Sequence, residues 1–337
     1  MNQRELAFDL MRCVAAVAVI AIHVLAPYRQ EFGVIPFNEW NTAIAVNGAS
    51  RWAVPVFILI SGALLLNDPR PFQLSYYLKR RLFKVLIPFI IWSLFYALFS
   101  GLSAQGYDSA LATKKLMSSH EHATYYHLGF FYYFIPLYFL VPFFHYMVKQ
   151  NQEQVLKAYV AIWLVTSLLY LLGIDGLWSN QMWLYSGYLP LGYLLYQRLE
   201  VTTSTALLST ILGLLSVTVT VVMVVLLSHE HGEYTVGRWL SYKTFNVVVV
   251  ATAVFILCRF VSGKVKGRWS VWVELISRHS LGIYLLHPIF LWPMKTFGWY
   301  QGHPMWVIPV WVVVSGAGAL LLSVGIARQK GLKWLLP

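Results

Sequence analysis

The chain has 337 residues, of which 58% are hydrophobic and only 11% are charged. A soluble domain typically carries about 25% charged residues, so this composition indicates an integral membrane protein. The net charge of +12 does not point to nucleic acid as a partner, because the basic residues lie mainly between apolar segments and the sequence has no phosphate-binding loop or nucleic-acid-binding module.

Long apolar segments predict an all-α, polytopic membrane fold with about ten transmembrane helices. The predicted spans are 6–26, 44–66, 82–101, 128–148, 155–173, 182–198, 204–227, 243–261, 272–293 and 305–327. Most of the 25 basic residues then lie on one side of the membrane, which predicts that both termini are cytoplasmic. No loop is long enough for a soluble domain, so residues 1–337 are expected to form a single membrane-embedded domain.

The first span contains three ionisable residues, Asp9, Arg12 and His23. Such side chains are costly in a bilayer and usually face a cavity where they have a function. Arg12 and His23 are eleven residues apart, which places them on one helix face about 16 Å apart along the axis, with Asp9 one turn before Arg12. This pattern indicates a long ligand with an anionic end, and His23 as a general base. The alternative is an ion pair at the membrane surface and a structural histidine.

The second span begins at its predicted outer end with Arg51, and Pro55 and Ser61-Gly62 follow. An arginine at the end of a span is often only an interfacial anchor. The proline and the small Ser61-Gly62 pair nevertheless suggest close helix packing near a cavity, which makes Arg51 and Ser61 candidate cavity residues.

A basic cluster, LKRRLFK, follows the second span and contains Arg80, Arg81 and Lys84. The orientation of the protein in the membrane is enough to explain such a cluster. The same side chains also suit a phosphorylated ligand or a lipid headgroup, and Arg12 is predicted to lie on the same side. One anionic ligand would then contact both regions.

Two further segments are candidates for lining a pore. The external loop 102–127 ends in His127, and the sixth span is interrupted by Gly187, Pro190 and Gly192, as is common beside cavities in membrane proteins. His-x-His pairs occur at 120–122 and 229–231, but no neighbouring cysteine or carboxylate completes a zinc site, so no metal is expected.

The ninth span reads SRHSLGIYLLHP from Ser277 to Pro288. Ser277, Ser280, Tyr284 and His287 recur at spacings of three and four and form one polar stripe on a helix. Hydrogen bonds between helices explain such a stripe, and so does a pore shared with the first span.

Taken together, these motifs resemble the membrane acyltransferase-3 family. The resemblance rests on Asp9 and Arg12-x10-His23, VPVFILISG (54–62), RRLFKVLIP (80–88), YHLGFFYYFIPLYFLVP (126–142) and SRHSLGIYLLHP (277–288), in this order over most of the chain. The length is similar to that of short bacterial members that O-acetylate surface glycans of the O-antigen or enterobacterial common antigen type. The SGNH-type domain of longer relatives is not expected here. Gly129 departs from the pattern of the motif at 126–142, because many relatives have tryptophan directly after its His-Leu.

The resemblance implies an O-acetyltransferase of the bacterial cytoplasmic (inner) membrane, surrounded by membrane lipids. Such enzymes take acetyl groups from cytoplasmic acetyl-CoA and deliver them to a saccharide hydroxyl of an extracytoplasmic or lipid-linked surface polysaccharide. Carried over by position, His23 is the catalytic histidine and Arg12 the motif arginine, and Asp9, which precedes Arg12, is predicted to be catalytic with them. Arg51, Arg80 and Arg81 then assist donor or pore binding, and Tyr284 and His287 belong to the late motif.

Several alternatives remain open from the sequence alone. A secondary transporter or flippase for a glycan, lipid or small solute also fits many spans with buried polar stripes. A non-catalytic assembly partner for polysaccharide synthesis would make the polar residues replaceable. Within the enzyme hypothesis, direct transfer and a covalent acyl-enzyme relay are equally compatible with the residues, as are acetyl and succinyl donors.

Overall fold

The computed structural model describes residues 3–336, and 73% of the chain is helical. The α-helices are α1 Gln3–Val24, α2 Ala26–Arg29, α3 Phe37–Ser50, α4 Ala53–Leu65, α5 Leu74–Tyr77, α6 Phe83–Phe99, α7 Ser109–Met117, α8 Gly129–Leu137, α9 Val141–Lys149, α10 Glu153–Leu171, α11 Gln181–Ser186, α12 Tyr188–Gln197, α13 Thr203–His231, α14 Phe245–Ser262, α15 Arg268–Arg278, α16 Ser280–Thr296 and α17 Pro304–Arg328. A π-helical turn, Leu78–Leu82, joins α5 to α6, and a 3₁₀ turn covers Lys333–Leu335. A short antiparallel hairpin pairs β1 Leu102–Ser103 with β2 Gly106–Tyr107.

Eight helical segments of the described chain are long and apolar enough to cross a membrane. They are Leu6–Val24, Phe37–Leu65, Leu74–Phe99, Gly129–Lys149, Glu153–Leu171, Thr203–His231, Phe245–Ser262 and Pro304–Arg328. The all-α, polytopic membrane fold is thereby confirmed. The other two predicted spans correspond to α11–α12 and α16, which are shorter, so the number ten and the cytoplasmic termini stay predictions.

Several predicted spans are divided by a break in the helix. The prediction of one helix over 272–293 was wrong, because α15 ends at Arg278 and α16 begins at Ser280. Tertiary hydrogen bonds fix both sides of this break: Ser277 donates to Asp9, and the His279 ring contacts the Ser323 hydroxyl. Likewise, a turn divides α3 from α4, residues 138–140 divide α8 from α9, and Gly187 divides α11 from α12.

Helix α1 lies at the centre of the fold. It contacts α3, α4, α14, α15, α16 and α17. The spans of α1 and α3–α4 are the most buried of the eight, whereas α13 is the least buried and exposes leucines and valines along its length, as expected for a helix that faces lipid. Functional side chains on α1 are therefore surrounded by protein.

Helices α4 and α12 cross at two glycines. A Cβ atom at Gly62 would lie 2.0 Å from the carbonyl oxygen of Leu189, and one at Gly192 would lie 2.1 Å from that of Leu59. Only glycine allows two backbones to approach this closely. The predicted close packing at Ser61-Gly62 is present. It fixes α4, which carries Ser61, against α12, which belongs to the interrupted sixth predicted span.

Candidate active site

A cavity of about 470 Å³, here called the Arg12 cavity, contains the basic residues that the sequence analysis selected. Its polar wall consists of Arg12 from α1, Ser61 from α4, Arg80 and Arg81 from the π-helical turn, Lys84 from α6, and Ser280 and Tyr284 from α16. Aromatic side chains of α8 complete it. The structure thus brings Arg12 and the basic cluster together although they are distant in sequence.

Arg12 is oriented by its neighbours on α1 and α15. Its Nη1 atom donates a hydrogen bond to Asp9 Oδ1 at 3.3 Å, and the Ser277 hydroxyl donates to the same oxygen at 2.6 Å. Asp9 lines an adjacent cavity with Arg12 and is separated along α1 from His23. This geometry favours a positioning role for Asp9, whose assignment as a catalytic residue stays a prediction.

The loop after α4 holds a second carboxylate that the sequence analysis did not select. Asp68 accepts two hydrogen bonds from the Arg70 guanidinium group, at 2.8 and 2.6 Å, one from the Arg70 backbone N–H at 3.2 Å, and one from Arg81 at 3.2 Å. The bonds from Arg70 are the main reason that the pKa of Asp68 lies well below its usual range, and Arg81 lowers it further. Asp68 therefore stays ionised and holds Arg81 at the edge of the Arg12 cavity.

A second cavity, here called the His23 cavity, has a volume of about 670 Å³. It is lined by His23 at the end of α1, by His127 just before α8, and by Tyr126 and Tyr284. Arg51 also lies here, where its Nη1 atom donates to the Tyr242 hydroxyl at 3.2 Å. The structure therefore separates Arg51 from Arg12, Arg80, Arg81 and Lys84, and its position favours a pore or acceptor role over donor binding.

Three histidine rings cluster beside the His23 cavity, and two of them, His23 and His127, line it. The rings of His23 and His287 are stacked with centroids 5.2 Å apart, and His127 lies 5.7 Å from His287. The ring centroid of Tyr126 lies 4.7 Å from that of His23. A residue on α1, one before α8 and one on α16 are thus assembled into one cluster, and all three were candidates from the sequence.

The hydrogen bonds of His287 define its free nitrogen. Its Nδ1 atom lies 2.7 Å from the carbonyl oxygen of Tyr284 and 3.1 Å from that of Ile283, so Nδ1 carries the proton and donates. The Nε2 atom of His287 and both ring nitrogens of His127 are buried and have no hydrogen-bond partner in the part of the chain that the structure describes. Unpaired buried polar atoms are costly, so these nitrogens are suited to a polar ligand.

The two cavities share part of their walls. Phe130 and Tyr284 line both of them. The Tyr284 hydroxyl donates to the backbone carbonyl of His127, which fastens α16 to the segment before α8. Arg12 and His23 lie on opposite sides of this wall on one helix, about 16 Å apart along its axis. A long molecule bound in the Arg12 cavity would therefore reach the wall that separates it from the histidine cluster.

Other side chains at the His23 cavity were not selected from the sequence. Arg29 and Lys295 line it, and both fall just outside the predicted spans 6–26 and 272–293. A loop cation gives no signal in a single sequence that distinguishes a cavity position from a solvated one. Among residues 3–336, no group of three or more His, Cys, Asp or Glu side chains is placed to hold a metal ion, and the expectation of no metal stays a prediction.

Comparisons with known proteins agree with this geometry. Residues 5–328 match the acyltransferase domain of the acyltransferase-3 family, which is nearly the whole chain. No significant match was found among curated proteins or among solved structures. The match covers both cavities and the helices that form them, from α1 to α17. The chain belongs to the acyltransferase-3 family and is a multi-pass membrane acyltransferase.

Proposed function

We propose that the protein is an O-acetyltransferase that moves an acetyl group from cytoplasmic acetyl-CoA to a hydroxyl of an extracytoplasmic or lipid-linked surface polysaccharide. The observation that carries this proposal is the pair of cavities that share Phe130 and Tyr284, one lined with basic residues and one with histidines. Two substrates that enter from opposite sides would meet at this wall. The proposed location is the bacterial cytoplasmic (inner) membrane.

The Arg12 cavity suits the donor. Coenzyme A carries phosphates at one end and the thioester at the other. Arg80 and Arg81 present guanidinium groups that match phosphate oxygens, and Lys84 adds a further positive charge. With the phosphates held there, the thioester end would lie against the aromatic wall that leads to His23.

The His23 cavity suits the acceptor and the chemical step. A ring nitrogen of His23 would remove the proton of the attacking sugar hydroxyl while the hydroxyl oxygen adds to the thioester carbonyl carbon. The carbon–sulfur bond then breaks, the coenzyme A thiolate leaves and takes up a proton, and the acetyl ester remains on the sugar. His287 stacks on His23 and would fix the orientation of its ring.

The test compares His23→Gln with His231→Gln, a matched control because His231 is exposed at the end of α13. The protein is reconstituted in liposomes with radiolabelled acetyl-CoA and an oligosaccharide acceptor, and both acetyl ester and free coenzyme A are measured. Loss of at least 100-fold in transfer is expected for His23→Gln, the typical scale for a general base. Full transfer by this variant would refute the role of His23.

Two further readouts separate the alternatives. A transporter would move solute without releasing coenzyme A, so absence of coenzyme A release from the wild-type protein with every acceptor tried would refute the enzymatic proposal. Incubation with acetyl-CoA alone, followed by intact-protein mass spectrometry, distinguishes a covalent acetyl-enzyme from direct transfer.

A further inference from the structure

Three cations line the His23 cavity without an ion-pair partner among the described residues. Arg29 enters it from the end of α2, Arg51 from the turn between α3 and α4, and Lys295 from the last turn of α16. None of the three forms an ion pair with a carboxylate in the described chain. Among the described residues, the one carboxylate in the wall is Glu121, which is 67% exposed and faces His120.

These cations are close enough to affect one another electrostatically. Burial is the main cause that lowers the pKa of Arg29, and the neighbouring Arg51 lowers it further, while Tyr234 opposes the shift. Lys295 lies within the electrostatic range of Arg29. Like charges that are partly removed from water repel each other, so this arrangement destabilises the empty site unless an anion compensates it.

Their hydrogen-bonding capacity is also incompletely used. The Nε atoms of Arg29 and Arg51 are buried and have no partner within residues 3–336. A buried donor that is left unpaired costs free energy, which a ligand oxygen would recover. Two guanidinium groups and an ammonium group around one space match a carboxylate or a phosphate.

The cations are also next to the proposed base. The Lys295 Nζ atom lies 3.8 Å from the centroid of the Tyr126 ring, and the same ring contacts His23. An anionic group held by Lys295 would therefore place the rest of the same molecule beside His23. The donor phosphates, by contrast, have their own basic residues in the Arg12 cavity.

We propose that the acceptor is anionic, and that Arg29, Arg51 and Lys295 bind its carboxylate or phosphate group and so position the reacting hydroxyl beside His23. This inference rests on the proposed acyltransfer between the two cavities. Two kinds of acceptor carry an anionic group that these cations would bind. One offers the carboxylate of an acidic sugar residue, and the other the diphosphate of a lipid-linked glycan.

The experiment measures the KM for three acceptors in the liposome assay. They are an oligosaccharide with a uronic acid, its carboxyl-reduced neutral counterpart, and a neutral sugar on a prenyl diphosphate. The KM is expected to be at least about tenfold lower for one of the two anionic acceptors than for the neutral one, which identifies the source. An equal KM for all three would overturn the proposal.

Two variants, Arg29→Gln and Lys295→Gln, test the residues themselves. Each should raise the KM for the preferred anionic acceptor by at least about tenfold and leave the KM for acetyl-CoA unchanged. Arg238→Gln is the matched control. Arg238 is a cation in the loop between α13 and α14, and it pairs with Asp175 at 2.5 Å outside the cavity. A rise in the KM for acetyl-CoA instead would overturn the proposal by assigning the cations to the donor.

The thermal stability of each variant in detergent separates misfolding from lost binding. A second measurement uses the wild-type protein and tests free glucuronate and inorganic phosphate as inhibitors. At least one of these anions should inhibit competitively against the acceptor and not against acetyl-CoA. Coenzyme A release without any preference for anionic acceptors would refute this inference alone. No release with any acceptor would refute the proposed function.

Discussion

The crossing of α4 and α12 at Gly62 gives a prediction whose magnitude follows from the geometry. The added methyl group of Gly62→Ala would lie 2.0 Å from the Leu189 carbonyl oxygen and 2.7 Å from its Cα and carbonyl carbon, whereas ordinary contacts begin near 3.4 Å. The obstructing atoms are backbone, so the helices must separate by more than 1 Å. Overpacking of this kind costs about 1–3 kcal/mol.

Alanine favours a helix over glycine by about 1 kcal/mol, which offsets part of this cost. Because backbone atoms cannot move aside without separating the helices, the overpacking cost lies at the upper end of that range, and the net destabilisation of Gly62→Ala is about 2 kcal/mol. With an unfolding entropy of about 2.1 cal/mol/K per residue over 337 residues, we expect the apparent melting temperature in detergent to fall by about 3 °C. Since α4 carries Ser61 and other side chains of the Arg12 cavity, the KM for acetyl-CoA should rise as well.

The measurement is the fraction of protein that remains monodisperse in size-exclusion chromatography after heating. Gly325→Ala is the matched control, because Gly325 lies in α17 and its added methyl group meets no atom within 4 Å. The control should be as stable as the wild-type protein or slightly more stable. Equal stability of Gly62→Ala and Gly325→Ala would refute the close crossing and the cavity wall that depends on it.

Two other substitutions test the cavities. A Cβ atom added at Gly129, which lines the His23 cavity, would meet only the Ala123 Cβ atom, at 4.0 Å, so the backbone leaves room for a side chain to begin there. Gly129→Trp should therefore fold and keep its KM for acetyl-CoA but lose transfer to a large glycan, and unchanged transfer would contradict this. Asp68→Asn should lower thermal stability, because the folded-state pKa of Asp68 is depressed and its contribution is present above the unfolded value near 4. The difference between Asp68→Asn and the wild-type protein should stay constant from pH 8 to about pH 5 and shrink only as the pH falls further, and a difference that disappears near neutral pH would contradict this assignment.

The sequence predicts which residues share one face of a helix better than it predicts which helices meet. The helical period placed Arg12 and His23 on one face of α1, and the spacing of Ser280, Tyr284 and His287 placed these three on one face of α16. Such signals are local, because they depend only on the geometry of one helix. They can therefore be recognised without any knowledge of which helices are neighbours.

Contacts between distant segments could not be read from the sequence in the same way. The pairing of Arg51 with Tyr242 joins residues 191 positions apart, and nothing in either local pattern indicates it. The break at His279 was also missed, since neither glycine nor proline marks it and its causes are contacts with Asp9 and Ser323 on other helices. Tertiary contacts overrode local helix propensity at this point.

The division of charge between the two cavities bears on how an acyl group would cross the membrane. Moving the phosphates of coenzyme A past Phe130 and Tyr284 would require their transfer through an aromatic wall, and buried charges without partners are strongly disfavoured. An acetyl thioester is neutral and small, so it meets no such barrier. In the proposed reaction the donor phosphates stay with Arg80 and Arg81, the acceptor anion stays with Arg29 and Lys295, and only the acetyl group passes between them. Each cluster of cations then has one anion to hold, which accounts for why this chain keeps two such clusters on opposite sides of one wall.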